Sequence, residues 1–92
     1  MKTKDFGLCS LLAANQCEIV RYETDSRGQV WLEWTDDDRS RKLEREFLSG
    51  TAIVRLADYL SAQKHIKTLI FNTRRNAYGD GEYELHRNSY SI

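Results

Sequence analysis

Apolar and polar positions along the chain divide it into six successive segments. From residue 4 to about 15, Phe6, Cys9 and Ala13 fall on one side with Leu8, Leu11 and Leu12 beside them, a wide apolar face at three-to-four spacing. This predicts a helix that Thr3 or Asp5 can cap and that Asn15 and Gln16 end. Cys17 to Glu23 predicts a strand, with Ile19, Val20 and Tyr22 as β formers. Asp25, Ser26, Arg27 and Gly28 are turn chemistry, and Gln29 to Trp34 alternates, Val30, Leu32 and Trp34 on one face and Gln29, Trp31 and Glu33 on the other. Arg39 to Leu48 predicts a short charged helix behind Asp36, Asp37 and Asp38. Leu43 and Phe47 form its narrow apolar side, and Gly50 stops it. Thr51 to Val54 can run extended. A long helix fits Leu56 to about Phe71, with Leu56, Tyr59, Leu60, Ile66, Leu69 and Ile70 as its buried side and Asp58, Lys64 and Lys67 pointing away.

The expected fold is α+β: a two- or three-stranded antiparallel sheet with helices on one face, in the order α-β-β-α-(β)-α. Residues 1–71 form one compact domain. Residues 72–92 are a polar C-terminal extension, in which Gly79, Asp80 and Gly81 lie between Tyr78 and Tyr83 and can turn a small hairpin.

Composition narrows the picture. Ninety-two residues make one domain, burying roughly 60–65% of the unfolded surface. With 40% apolar and 30% charged residues the chain is a folded one. Proline is absent, so every turn relies on Gly, Asn, Asp and Ser. Net charge is zero, which exerts no global pull toward nucleic acid or membrane and leaves self-association open. The longest apolar run, Leu11 to Ala14, is far short of a membrane span, and the N-terminus carries no signal-peptide pattern. A cytoplasmic location is the expectation. Cys9 and Cys17 read as buried thiols rather than a disulfide framework.

A resemblance emerges from the order of these pieces. Lys2, Thr3, Lys4, Asp5, Phe6, Gly7 and Leu8 lead into a Leu-Leu-Ala helix end, then a hairpin bearing Val30 to Trp34. A charged helix ends in Phe47, Leu48, Ser49 and Gly50, followed by Tyr59, Leu60 and Ile66 to Ile70. Over residues 2–71 this resembles small phage and mobile-element proteins known only as a domain of unknown function. The resemblance implies a compact helix–hairpin–helix–helix domain and brings no catalytic residue with it.

Chemistry is thin. Cys9, Cys17, His65 and His86 lack zinc-site spacing. Glu33 and Asp36 could meet Lys42 in a metal-dependent nuclease, but capping and solvation explain the carboxylates without it. No nucleophile elbow and no glycine-rich phosphate loop is present. The expectation is therefore a non-enzymatic protein with no metal and no cofactor, whose partner is a host or element-encoded protein, a defence complex among the candidates. Trp31 is read as facing outward with Tyr22 beside it on the neighbouring strand, the two as apolar anchors, joined by Arg74, Arg75 and Tyr83 in the tail. The competing arrangement lets a helix cover that face and turns Trp31 into a second core layer. The alternative function is nucleic-acid binding through Lys64, Lys67, Arg74 and Arg75 together with Arg39, Arg41, Lys42 and Arg45 on the short helix.

Overall fold

The structure, a computed structural model, describes residues 1–77. Its elements are β1 (Lys2–Thr3), α1 (Phe6–Ala14), β2 (Ile19–Thr24), β3 (Val30–Trp34), α2 (Asp38–Ser49) and α3 (Leu56–Ala77). The fold is α+β, with an antiparallel sheet in the order β1-β3-β2. The third strand is Lys2–Thr3, not the Thr51–Val54 piece that the pattern suggested. The reason lies in where each segment's main-chain hydrogen bonds go. Trp34 N–H donates to Met1 O at 2.6 Å and the terminal amine of Met1 donates back to Trp34 O. Thr51 and Ala52 instead return their N–H groups to Glu46 O, closing the end of α2. That end turns at Gly50, whose φ of 76° is the left-handed conformation glycine adopts without a Cβ penalty.

Capping chemistry sets the helix starts. Asp5, rather than Thr3, accepts from Leu8 N–H at 3.0 Å and opens α1, while the Thr3 hydroxyl accepts from Asp5 N–H. Asp37 accepts from Ser40 N–H, and the buried Ser40 hydroxyl accepts from Asp37 N–H, a reciprocal box that satisfies two otherwise orphaned donors. The Asp37 carboxyl is held below the ordinary aspartate range, chiefly by that Ser40 N–H.

Leu8, Cys9, Ser10, Leu11 and Leu12 are five consecutive buried residues, so α1 is enclosed all round. It packs against both α3 and α2. Ser10 is tolerated there because its hydroxyl donates to Phe6 O at 2.8 Å. A Cβ on Gly7 would come within 3.1 Å of the Phe47 ring, so the missing side chain lets α1 and α2 approach closely. Val30, Leu32 and Trp34 bring the sheet into the same core, as the alternation predicted.

The long helix has a different phase from the one expected. Ala62 and Ile66 are buried and Tyr59, Leu69 and Ile70 are packed against the core, whereas Leu56 and Leu60 are 70% and 50% exposed. Tyr59, Ala62, Ile66, Leu69 and Thr73 follow one stripe at three-to-four spacing; Leu56 and Leu60 lie on the other side. The helix also continues beyond Phe71 to Ala77. Tyr83, the Gly79–Gly81 turn and the hairpin proposed around it lie outside the described residues.

Candidate binding surfaces

The hairpin turn organises the first surface. Asp25 and Gln29 close it through Asp25 N–H to Gln29 O at 2.9 Å, while one carboxylate oxygen of Asp25 accepts from the N–H groups of Arg27 and Gln29. The other oxygen accepts the Trp31 indole N–H at 2.9 Å. These donors, the indole first, hold the Asp25 carboxyl below its ordinary value. A depressed folded-state value means stability that is present above the unfolded value and lost as pH falls through the folded one. Asp25→Asn is therefore expected to lower the melting temperature at pH 6. Its gap to the parent narrows as the pH drops below about 4. A gap independent of pH down to acid unfolding would show that this carboxylate is not what the turn depends on.

Trp31 does face away from the helices, but its surroundings differ from the expectation. Tyr22 pairs with Leu32 and Glu23 with Trp31, so Tyr22 and Trp31 lie on opposite faces of the sheet. The register sets the pairing, because Asp25 and Gln29 close the hairpin and each step away from the turn flips the face. Beside Trp31 stand Lys2 and Lys4, whose ammonium groups lie 6.0 Å and 5.5 Å from the ring centroid. Lys2 also pairs with Glu23 at 2.6 Å, which lowers the Glu23 pKa, and Lys4 donates to Gln29 Oε1. Trp31 is half-buried, with both lysines beside its ring.

β1 ends opposite Leu32. Beyond it, among the described residues, Val30 and Trp31 have no strand on that side, and a groove of about 530 Å³ opens. Lys2, Lys4, Trp31, Asp5, Ile70 and Arg74 are among its walls. Arg74 crosses from α3 to donate to Gly28 O at 3.1 Å, tying the helix to the hairpin turn.

The remaining expected basic residues do not join this groove. Arg41 pairs with Asp36 and Asp38, Lys42 with Glu46, and Arg39 donates to Gln16 O. Asp36 is lowered and Arg41 raised by that contact. Arg75 stacks on Phe71, its guanidinium carbon 5.5 Å from the ring centroid. Lys64 and Lys67 line a second groove, of about 450 Å³, with Leu60, Ser61 and Gln63. Glu33, Asp36 and Lys42, the would-be nuclease set, each take a different partner. Among the described residues no group of three or more His, Cys, Asp or Glu converges as metal ligands, and no helix is long and apolar enough to cross a membrane. Both cysteines are free, Cys9 buried and Cys17 half-buried ahead of β2. Burial pushes the Cys9 thiol up to about 11, the Trp34 indole only partly offsetting it.

Outward apolar residues on and next to α3 supply the second set of candidates. Ile53, in the link between α2 and α3, is 91% exposed, and Leu56, Leu60 and Phe71 stand out on α3. The apolar pattern assigned Leu56 and Leu60 to the core, since spacing alone does not say which of two overlapping stripes is buried. Lys2 and Lys4 escaped the reading because a two-residue strand leaves no periodic signal. Comparison of the chain with protein-family models, with curated proteins and with solved structures finds no match in any of the three.

Proposed function

We propose that this protein is a non-enzymatic binding module, of the phage or mobile-element kind its sequence resembles, that acts by occupying a surface of a host or element-encoded protein complex. The observation that carries this reading is the apolar set Ile53, Leu56, Leu60 and Phe71, which stands exposed among the described residues. Large exposed apolar side chains on a helix are the usual anchors of protein interfaces. Lys64 and Lys67 flank Leu60 in the same groove, so the complementary partner is an apolar protein surface with an acidic rim. Trp31 is the weaker anchor, because Lys2, Lys4 and Asp25 already engage it. Affinity capture from host lysate, before and after nuclease, tests the reading. A protein retained after digestion by the parent and by Trp31→Ala, but lost with Leu56→Asp/Leu60→Asp, supports it. Retention by the double variant removes the α3 surface from consideration.

A second reading draws on one specific feature, the groove in which Lys2, Lys4 and Arg74 surround Trp31. Three cations and an indole suit a single-stranded nucleic acid, phosphates on the cations and a base on the ring. Three phosphate contacts would weaken binding about twentyfold between 50 and 200 mM salt. Titration of a single-stranded oligonucleotide, followed by tryptophan fluorescence at both salt concentrations, decides it; the absence of saturable binding at 50 mM salt rejects it.

A further inference from the structure

We propose that β2 is a self-complementary edge through which two copies of this chain join into one continuous antiparallel sheet. This interaction is independent of the partner proposed above. The sheet order leaves β2 at one side, and among the described residues no strand pairs with its outer edge. The edge is six residues long and carries Val20 and Tyr22 at 61% and 48% exposure. Unpaired edges of this length are templates for another strand unless charge or shape opposes it.

The main chain faces the right way. Asp25 and Gln29 form a hydrogen-bonded pair at the turn. Antiparallel ladders alternate, so Glu23 with Trp31 and Arg21 with Glu33 are the next hydrogen-bonded pairs. Trp34, bonded to Met1 on the opposite side, fits the same alternation. Tyr22 and Thr24 consequently turn their N–H and C=O groups into the open edge. A two-fold axis through Tyr22 pairs Tyr22 with Tyr22 of the second copy through those groups.

The same axis sets Arg21 opposite Glu23 of the second copy, and Glu23 opposite its Arg21. Charge already alternates across the outer face, from Lys2 on β1 to Glu33 on β3 and Arg21 on β2, with Arg21 and Glu33 3.2 Å apart. Glu23 of the second copy, itself paired with its own Lys2, continues that series, sharing Arg21 with Glu33. The two neighbouring registers that preserve the faces fail electrostatically: centring on Arg21 opposes two arginines, and centring on Glu23 opposes two glutamates. Outside this register the charges guard the edge; within it they favour closure. The irregularity between Ile19 and Arg21 limits regular pairing to the far part of the strand. Zero net charge adds no global repulsion.

Sedimentation equilibrium on the full chain over a concentration series tests this arrangement. The parent is expected to dimerise reversibly. Arg21→Glu and Glu23→Arg should each weaken self-association roughly thirtyfold, since two cross-strand pairs turn from attraction to repulsion. An equimolar mixture of the two variants should recover a heterodimer. The first variant is acidic at both edge positions and the second basic at both, so every cross-strand pair between them is again one of opposite charge. Circular dichroism of each variant alone establishes that both remain folded; if either is unfolded, Arg21→Gln and Glu23→Gln replace them, each expected to weaken the dimer by a smaller factor. A parent that stays monomeric overturns the proposal. So does failure of the folded charge-reversed variants to associate when mixed, or dimerisation unaffected by the glutamine variants.

Discussion

Trp34→Ala is expected to lower the folding free energy by about 3–5 kcal/mol, the range for removing a large buried aromatic side chain. Trp34 is 1% exposed and heads the largest fully buried side chains. It lies where β3, α1 and the N-terminus meet, with Met1 bonded to its main chain and Cys9 beside its ring. In a domain of this size each kcal/mol is worth about 4–8 °C in melting temperature, so the loss amounts to roughly 12–40 °C. A total stability near the lower end of about 5–15 kcal/mol would fall to about 0–2 kcal/mol, leaving up to about half of the chain unfolded. Trp34→Phe is the informative control. The indole N–H is buried without a hydrogen-bond partner of ordinary geometry, so phenylalanine removes volume without stranding an acceptor and should cost much less than alanine. Thermal melts by circular dichroism separate these outcomes. An alanine variant within about 1 kcal/mol of the parent would place the ring outside the core.

Ile66→Ala carries the second large effect, a loss of about 2–4 kcal/mol. Ile66 is fully buried and, with Ala62, is where α3 enters the core; Tyr59, Leu69 and Ile70 are only partly covered. Alanine's better helix propensity returns a few tenths of a kcal/mol at most. Leu60→Ala, one and a half turns away, should change stability by less than about 1 kcal/mol because half of that side chain already meets water. Urea unfolding of the pair measures the phase of the helix directly. Equal losses at the two positions would mean that α3 is rotated from the orientation described, and the exposed apolar surface proposed for partner binding would go with it.

This contrast marks the border of what periodicity conveys. Leu56, Leu60, Ile66 and Leu69 are equally apolar in the sequence, and a long helix offers more apolar positions than one contact face can absorb. Which of them are buried depends on the angle at which α3 meets α1 and β2. The two-residue strand at Lys2–Thr3 shows the same gap from the other side. It exists because β3 presents a row of main-chain groups that Met1 and Thr3 can reach, a circumstance no local pattern records. Arg74, a tail residue by composition, lies on α3 and bonds to Gly28, forty-six positions away in the chain.

Local chemistry was legible where a short stretch contains both partners. The Asp25–Gly28 turn, the alternation of Val30, Leu32 and Trp34, a carboxylate cap from the Asp36–Asp38 run and the glycine stop at position 50 are interactions within a few residues, and composition and spacing determine them. Tertiary structure alone decided the rest: that Tyr22 and Trp31 occupy opposite faces, that lysines from β1 border the indole, that Arg39 reaches back to the Gln16 carbonyl while Arg41 is tied to Asp36 and Asp38, and that among the described residues β2 is an edge carrying Arg21 and Glu23. Each of these depends on register or packing between segments distant in the chain. A strand's two faces look alike in sequence until the turn sets the register, and a charge is free or paired according to what the fold carries next to it.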